Sequence, residues 1–139
     1  MLEKKIGPTA HGALGALRVF FGLLFMEHGV QKLFGWLVSR PRPPVELLSL
    51  MGLAGVLETF GGLLLVLGLY TRPVALLLAA EMAYAYLFVH LPRGLAPILN
   101  GGEKALLYGG IFFYLGARGG GHFSLDGWMS RRRSTDGDA

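Results

Sequence analysis

A hydrophobic run that begins near Leu14 constrains the fold most, because it is long enough to cross a lipid bilayer. Within this run, residues 25–36 contain a carboxylate, an imidazole, an amide and an ammonium group: Glu27, His28, Gln31 and Lys32. A charge at the centre of a membrane helix costs about 2.5–3.5 kcal/mol even on insertion scales. These polar groups should therefore face protein or water, and they mark a candidate functional site.

The composition agrees with a membrane environment. Of the 139 residues, 53% are hydrophobic and 16% are charged, whereas a soluble domain has about 25% charged residues. A soluble fold of this size cannot bury so much apolar surface, so we predict one small membrane domain over residues 1–139. The absence of cysteine excludes a CxxC thiol–disulfide centre, a cysteine-ligated iron–sulfur cluster and covalently attached haem within this chain.

The net charge of +4 raises the question of a nucleic-acid partner. The basic residues lie between apolar runs, however, and the one cluster is Arg131, Arg132 and Arg133. We interpret them as topology signals that contact anionic lipid, and we expect the bilayer rather than nucleic acid as the partner.

Four apolar segments predict an all-α fold, a four-transmembrane-helix bundle. The predicted helices cover about residues 14–37, 45–70, 74–90 and 102–117, and residues 118–139 form a polar tail that is expected to be disordered after Arg133. Four spans place both termini on one side. Lys and Arg number eight on that side and four on the other, so both termini are predicted to be cytoplasmic in a multi-pass protein of the plasma (inner) membrane.

The polar residues of the helices are predicted to line one pocket. His28 and Lys32 lie four positions apart, hence on one helix face, and Glu58 lies mid-helix on a face that also carries Gly55, Gly61 and Gly62. The pocket is expected in the middle and outer part of the bundle. Its members are His28, Lys32, Glu58 and Glu103, with His90 and Asn100 near its mouth.

Several of these residues also have a structural interpretation. Glu58 at mid-membrane depth either pairs with Lys32 or His28 or stays protonated. Lys32 alone would reach the outer interface by snorkelling. Arg18 would pair with lipid headgroups or a helix end.

Two further geometric expectations concern the outer end of the bundle. Asn100 and Glu103 have the spacing of a capping box, N-cap and N3. Glu81 and His90 are nine positions apart, about 180° around a regular helix. They cannot both face one site unless the helix is kinked.

An ordered set of motifs over about residues 14–127 resembles the DoxX family. The motifs are Arg18 followed by Phe25-Met26-x-His28-Gly29-x-Gln31-Lys32-Leu33-Phe34-Gly35-Trp36; Glu58-x-x-Gly61-Gly62; Gly68-x-x-Thr71-Arg72-Pro73; Met82-x-x-Ala85 with His90-x-Pro92; Asn100-Gly101-x-Glu103; and Gly119-x-Gly121-x-x-Ser124-Leu125-Asp126. The resemblance implies a four-helix integral membrane protein. It implies roles for Arg18, His28, Lys32, Glu58, Thr71, Arg72, His90, Asn100, Glu103 and Asp126, whereas Glu27 and Glu81 fall outside the pattern.

Some members of this family are similar to the DoxD subunit of thiosulfate:quinone oxidoreductase, and others accompany thiol- or superoxide-handling enzymes in oxidative-stress defence. The resemblance therefore implies a membrane subunit that binds quinone or a small sulfur-containing anion and couples its oxidation to the quinone pool. In that hypothesis His28 and Glu58 carry protons and Lys32 stabilises negative charge. Arg18, His90, Asn100 and Glu103 are the candidate substrate- or cofactor-binding residues. Nothing in the chain resembles a DoxA-like second subunit, so whether it is an enzyme by itself stays open.

Two other classes of function stay open beside the redox subunit. One is a non-catalytic scaffold or partner subunit, as a homo-oligomer or in a heteromeric complex, and the other is a small-solute carrier. Haem held by His28 and His90, or a metal held by His28, Glu58 and Glu103, finds no support in the spacing of these residues, and no metal site is predicted.

Overall fold

The computed structural model describes residues 7–40 and 42–136, and within these residues it contains helices and loops but no β-strand. The all-α class is thus confirmed. The helices are α1 (Pro8–Phe34), α2 (Leu50–Leu67), α3 (Thr71–Tyr84), α4 (Pro97–Asn100), α5 (Glu103–Arg118) and α6 (Leu125–Asp136). A π-helical segment, Ala85–His90, and a 3₁₀ turn, Leu91–Arg93, extend α3.

Three helical segments are long and apolar enough to cross a membrane: Thr9–Phe34, Leu50–Leu67 and Thr71–Arg93. The fourth predicted span corresponds to α5, which has 16 residues and a length of about 24 Å at 1.5 Å per residue. That is shorter than a hydrocarbon core of about 30 Å. The structure therefore gives three candidate spans, and the fourth stays a prediction.

The ends of the first two helices differ from the predicted ones. Helix α1 begins earlier, at Pro8, since proline fits the first turn of a helix. It ends where Gly35 adopts a left-handed conformation, φ 65°. Helix α2 begins at Leu50 rather than near residue 45, because the Ser49 hydroxyl caps it by accepting from the Gly52 N–H at 3.0 Å.

The predicted polar tail contains a helix. Ser124 begins α6, since its hydroxyl accepts from the Gly127 N–H at 3.1 Å and its carbonyl accepts from the Trp128 N–H at 3.0 Å. The helix continues to Asp136, so the expectation of disorder directly after Arg133 was wrong. Residues 137–139 lie outside the described residues, as do Pro41 of the first loop and two of the counted basic residues, Lys4 and Lys5.

The helices pack mainly as two pairs, α1 with α2 and α3 with α5. Glycine lets α1 and α2 approach closely: a Cβ atom at Gly29 would lie 2.7 Å from the Gly55 carbonyl oxygen, and one at Gly62 would lie 2.7 Å from the Gly22 carbonyl oxygen. The pairs meet through aromatic rings. Phe25 of α1 lies 4.7 Å, between centroids, from Phe112 of α5, and both residues are almost fully buried.

Candidate functional site

The buried charged group predicted in α2 has an ion-pair partner. The Lys32 Nζ lies 2.6 Å from the Glu58 Oε1, and the Glu58 side chain is 4% exposed. The close approach of α1 and α2 makes this contact geometrically accessible, since Lys32 is in the last turn of α1 and Glu58 is midway along α2. It is the only ion pair among residues 7–40 and 42–136. Lys32 thus points into the bundle and pairs with Glu58, which is one of the two predicted alternatives. It does not extend to the membrane interface without a partner.

Glu81 of α3 joins this pair, although the sequence pattern gave it little weight. Both of its carboxylate oxygens are buried without a hydrogen-bond partner, and so is the Oε2 of Glu58. The packing of α2 on α3 places it beside Glu58, because a Cβ atom at Gly61 would lie 2.8 Å from the Leu78 side chain and Glu58 and Glu81 each lie three positions from that contact. The site therefore combines two carboxyl groups with one ammonium, and three of its four carboxyl oxygens make no hydrogen bond within the described residues.

His28 lies on the α5 side of the same site. Its Nδ1 is 2.9 Å from the Leu24 carbonyl oxygen. Because a carbonyl only accepts, Nδ1 carries the hydrogen, and in the neutral ring Nε2 is the acceptor. The ring packs edge-on against Tyr108, 5.6 Å between centroids. His28 lies one helical turn before Lys32 on α1, and Lys32 contacts Glu58, so Lys32 links the other two predicted catalytic residues.

The residues predicted near the pocket mouth hold a loop together. Buried Asn100 donates from Nδ2 to the Gly94 carbonyl at 2.7 Å and accepts at Oδ1 from the Gly102 N–H at 2.7 Å. The Nδ1 of His90 lies 3.2 Å from the Asn100 carbonyl oxygen. Asn100 and His90 are thus joined at the end of the bundle opposite α6.

The predicted capping box between Asn100 and Glu103 was wrong. Helix α5 begins at Glu103 directly after Gly102, so Glu103 is the first helical residue instead of the third. Its side chain is exposed and makes no ion pair or side-chain hydrogen bond within the described residues. The structure does not bring Glu103 to the Lys32–Glu58 pair.

The π-helical segment changes the relation between Glu81 and His90. A π-helical turn holds about one residue more than an α-helical turn. Nine positions then rotate the chain about as far as eight α-helical positions, leaving the two side chains ~80° apart instead of ~180°. The structure nevertheless does not show them in contact, since His90 binds the Asn100 carbonyl and the buried Glu81 oxygens have no hydrogen-bond partner within the described residues.

Arg18 lies at the opposite end of α1. Fourteen residues separate it from Lys32, about 21 Å along a helix axis. Its guanidinium donates from Nη1 to the Leu65 and Val66 carbonyls, the latter at 2.7 Å, and from Nη2 to the Phe123 carbonyl at 2.7 Å. Arg18 therefore binds the carbonyl end of α2, which is one of the two structural roles predicted for it. It is not part of the site around the Lys32–Glu58 pair.

Asp126 completes a junction at this end of the molecule. Its Oδ1 and Oδ2 accept from the backbone N–H groups of Tyr70 and Thr71, each at 2.8 Å. The carboxylate thereby caps α3 and ties it to α6. We call the residues Arg18, Gly68, Thr71, Ser124 and Asp126 the α6 junction. The residues of the α6 junction are part of the same ordered motifs as Lys32 and Glu58, but they form a separate, structural site.

A metal site is not formed by the described part of the chain: no group of three histidine, aspartate or glutamate side chains there has an arrangement that could hold an ion. In the Lys32–Glu58–Glu81 cluster the third charged group is an ammonium, which repels a metal cation.

Comparison with known proteins agrees with the resemblance in the sequence. The family model described as DoxX matches residues 13–91. An uncharacterized protein from Haemophilus influenzae is 42% identical over 117 residues, which cover 81% of this chain and 87% of the relative. No solved structure matches. The motif residues noted in the sequence form both the buried charged pair and the α6 junction. The family match covers more than half of the chain, and the chain therefore belongs to the DoxX family.

Proposed function

We propose that this membrane protein is a redox subunit that binds a quinone or a small sulfur-containing substrate beside the Lys32–Glu58 pair. In this role it couples oxidation of that substrate to the membrane quinone pool. The observation that carries the proposal is the Lys32–Glu58 ion pair together with buried Glu81 of the adjacent helix, because three of the four carboxyl oxygens make no hydrogen bond within the described residues.

The cluster has the groups that quinone chemistry requires. A quinone takes up protons together with electrons when it is reduced, so its site needs proton carriers and a hydrogen-bond donor. Two carboxylates beside one lysine would leave a buried negative charge, which is costly. A proton held on either Glu58 or Glu81 removes that charge, and the Lys32 ammonium can donate to a carbonyl or sulfur-bound oxygen.

Aromatic side chains complete the proposed binding surface. Tyr108 contacts His28 edge-on at 5.6 Å between centroids, so an aromatic ring adjoins the polar residues. A flat ligand ring that enters beside Tyr108 could pack on it while its oxygen faces a donor. His28, with its Nδ1 held by the Leu24 carbonyl, would offer Nε2 as a proton acceptor.

The membrane orientation is part of the proposal. We infer that α5 forms a fourth span and that both termini are cytoplasmic in the plasma membrane. Arg72 and Arg118 lie at the end of the bundle that also carries α6 with its Arg131, Arg132 and Arg133, which is the expected cytoplasmic distribution of positive charge. The Lys32–Glu58 pair then lies toward the outer side.

A non-catalytic partner subunit is the second candidate. The observation that favours it is the ion pair itself, because a lysine already bound to a carboxylate at 2.6 Å can hold two helices together without any ligand. In that case the chain would dock thiol- or superoxide-handling enzymes and its polar cluster would be structural.

Purification of the protein from its membrane, followed by solvent extraction and identification of bound quinone, distinguishes the two candidates. Titration of delipidated protein with ubiquinone-1 and with thiosulfate then identifies which ligand binds. We expect Glu58→Gln and Glu81→Gln to weaken binding at least tenfold. The matched control is Glu27→Gln, since Glu27 is on α1 beside His28 but is exposed.

Equal binding by the site variants and the Glu27 control would contradict a ligand role for the cluster. Absence of both quinone and thiosulfate binding in the unmodified protein would favour the partner-subunit candidate. Circular dichroism of each variant verifies that the helices are retained.

A further inference from the structure

A continuous apolar furrow follows α1 near the α6 junction. It consists of two hollows of about 620 Å³ and about 560 Å³. Both are lined by Arg18, Val19 and Phe123, so they adjoin each other. The larger hollow continues along Val66 and Leu67 of α2, and the smaller one along α1. The furrow lies far from the Lys32–Glu58 pair, by the length of α1 between Arg18 and Lys32.

Part of the furrow lining belongs to α1 and α2, both of which are candidate membrane spans, and the rest belongs to residues 122–131. Leu67 is 44% exposed and Phe123 is 64% exposed, so apolar surface is open to the surroundings. Trp128 of α6 lines the larger hollow, and tryptophan is enriched at the depth of lipid headgroups. We therefore expect the furrow to extend from headgroup depth into the hydrocarbon.

The headgroup end of the furrow carries positive charge. Among residues 7–40 and 42–136, its titratable lining residues are Arg18, His122 and Arg131, and no acidic residue lines either hollow. The Nη1 of Arg131 is held 3.1 Å from the His122 carbonyl oxygen and 3.3 Å from the His122 Nδ1. Arg131 is thus positioned at the mouth instead of extending freely from α6.

The cation at the mouth of the furrow is Arg131 rather than Arg18, whose guanidinium is held by three carbonyls. Asp126 lines a different hollow, where its oxygens accept from the backbone N–H groups of Tyr70 and Thr71. The Arg132 guanidinium lies 4.0 Å above the Trp128 ring, adding a second cation beside the hollow. A phosphate at Arg131 would therefore meet cations and an indole, with no carboxylate in the lining.

We propose that this furrow binds one anionic phospholipid, with its phosphate at Arg131 and His122 and an acyl chain along Val19 and Val66. A diacyl phospholipid is the ligand that has both a phosphate and apolar chains, and it is present wherever this chain spans a membrane. The bound lipid would join α6 to the α1–α2 pair, strengthening a junction that Arg18 and Asp126 already make. This site is independent of the redox role proposed above.

Native mass spectrometry of the full chain, delipidated in detergent, tests the proposal. Phosphatidylglycerol and phosphatidylcholine with identical acyl chains are added at equal concentrations, and binding to each is counted by mass. We expect phosphatidylglycerol to bind preferentially with a stoichiometry of one. Arg131→Gln should weaken that binding about fivefold, which corresponds to one basic residue at a membrane surface.

Arg133→Gln is the matched control, since it removes the same charge from the same helix but from a residue outside the furrow lining. It should change the binding less than twofold. Val19→Trp, which fills the furrow, should weaken binding of both lipids, and circular dichroism verifies that both variants keep their helices.

Three results would overturn the proposal. Equal effects of Arg131→Gln and Arg133→Gln would mean unspecific adsorption to α6. Displacement of the lipid by millimolar inorganic phosphate would mean a simple anion site. A protein dimer that replaces lipid binding and is lost in Val19→Trp would mean that a second copy of the chain covers the furrow.

Discussion

Removing the Lys32 ammonium should destabilise the protein more than removing the Glu58 charge. Lys32→Met leaves a carboxylate in a residue that is 3% exposed, and breaking a buried pair in this way costs about 3–5 kcal/mol. The lower value applies here because the Lys32 side chain is 26% exposed, which weakens the pair. Glu58→Gln leaves the partly exposed ammonium, which can reach the interface, so the loss should be about 1.5 kcal/mol.

The double variant decides whether these costs come from the pair itself. With both charges absent no buried charge is unpaired, so Lys32→Met with Glu58→Gln should be more stable than the sum of the single effects predicts. A coupling free energy of about 2 kcal/mol is expected. It is measured by unfolding in mixed detergent–SDS micelles, followed by far-ultraviolet circular dichroism.

The control for this cycle is Lys104→Met, because Lys104 is exposed at the start of α5 and should change stability by no more than about 0.5 kcal/mol. If the losses of stability in Lys32→Met and Glu58→Gln add up in the double variant to within about 0.5 kcal/mol, the two charges do not stabilise each other and the interpretation is refuted.

Three further predictions use the same unfolding measurement. Gly29→Ala should destabilise the protein by about 1–3 kcal/mol, because the added Cβ would collide with Thr59 of α2. The control Gly110→Ala, where a Cβ meets nothing within 4 Å, should be neutral or stabilising. Equal effects of the two variants would contradict the close approach of α1 and α2. Asp126→Ala should cost about 1–2 kcal/mol through loss of the α3 cap, and no loss would mean that these hydrogen bonds add nothing. Arg18→Met should lower the free energy of unfolding by at least about 2 kcal/mol, because three carbonyls lose their donor. Arg18→Lys should recover less than half of this loss, since one ammonium cannot reproduce the guanidinium fork. Full recovery by lysine would refute that geometry.

The Lys32–Glu58 pair was accessible to sequence reasoning because two local patterns agree. Lys32 shares a face with His28, and Glu58 shares a face with the glycines of α2. A mid-membrane carboxylate needs a partner, and glycine faces indicate which helices approach closely. Those rules left Lys32, His28 or a protonated Glu58 as the alternatives, and the structure shows the pair with Lys32.

The partner of Glu81 could not be predicted from the sequence in the same manner. A single carboxyl group in an apolar helix has no local partner, and its neighbours depend on the register between α2 and α3, which no local pattern specifies. The π-helical segment at Ala85–His90 is likewise absent from the sequence periodicity. The relation of Glu81 to His90 was therefore predicted from a regular helix, and the structure changed it.

The α6 helix was missed for a different reason. Its sequence is polar and glycine precedes it, so it lacks the apolar stripe by which a surface helix is identified. Contacts distant in the chain hold it instead: Asp126 binds α3 and the Phe123 carbonyl binds Arg18. Conversely, the capping box was predicted from spacing alone, and two glycines after Asn100 shifted the start of α5.

The division of the bundle into two helix pairs has a mechanical consequence. Lys32 and Glu58 belong to the glycine-packed pair α1–α2, whereas Glu81 and Tyr108 belong to α3–α5. A proton that moves onto or off Glu81 therefore changes the electrostatic interaction between the two helix pairs. The free energy with which the halves of the bundle attract each other should thus depend on the protonation of this one carboxyl group.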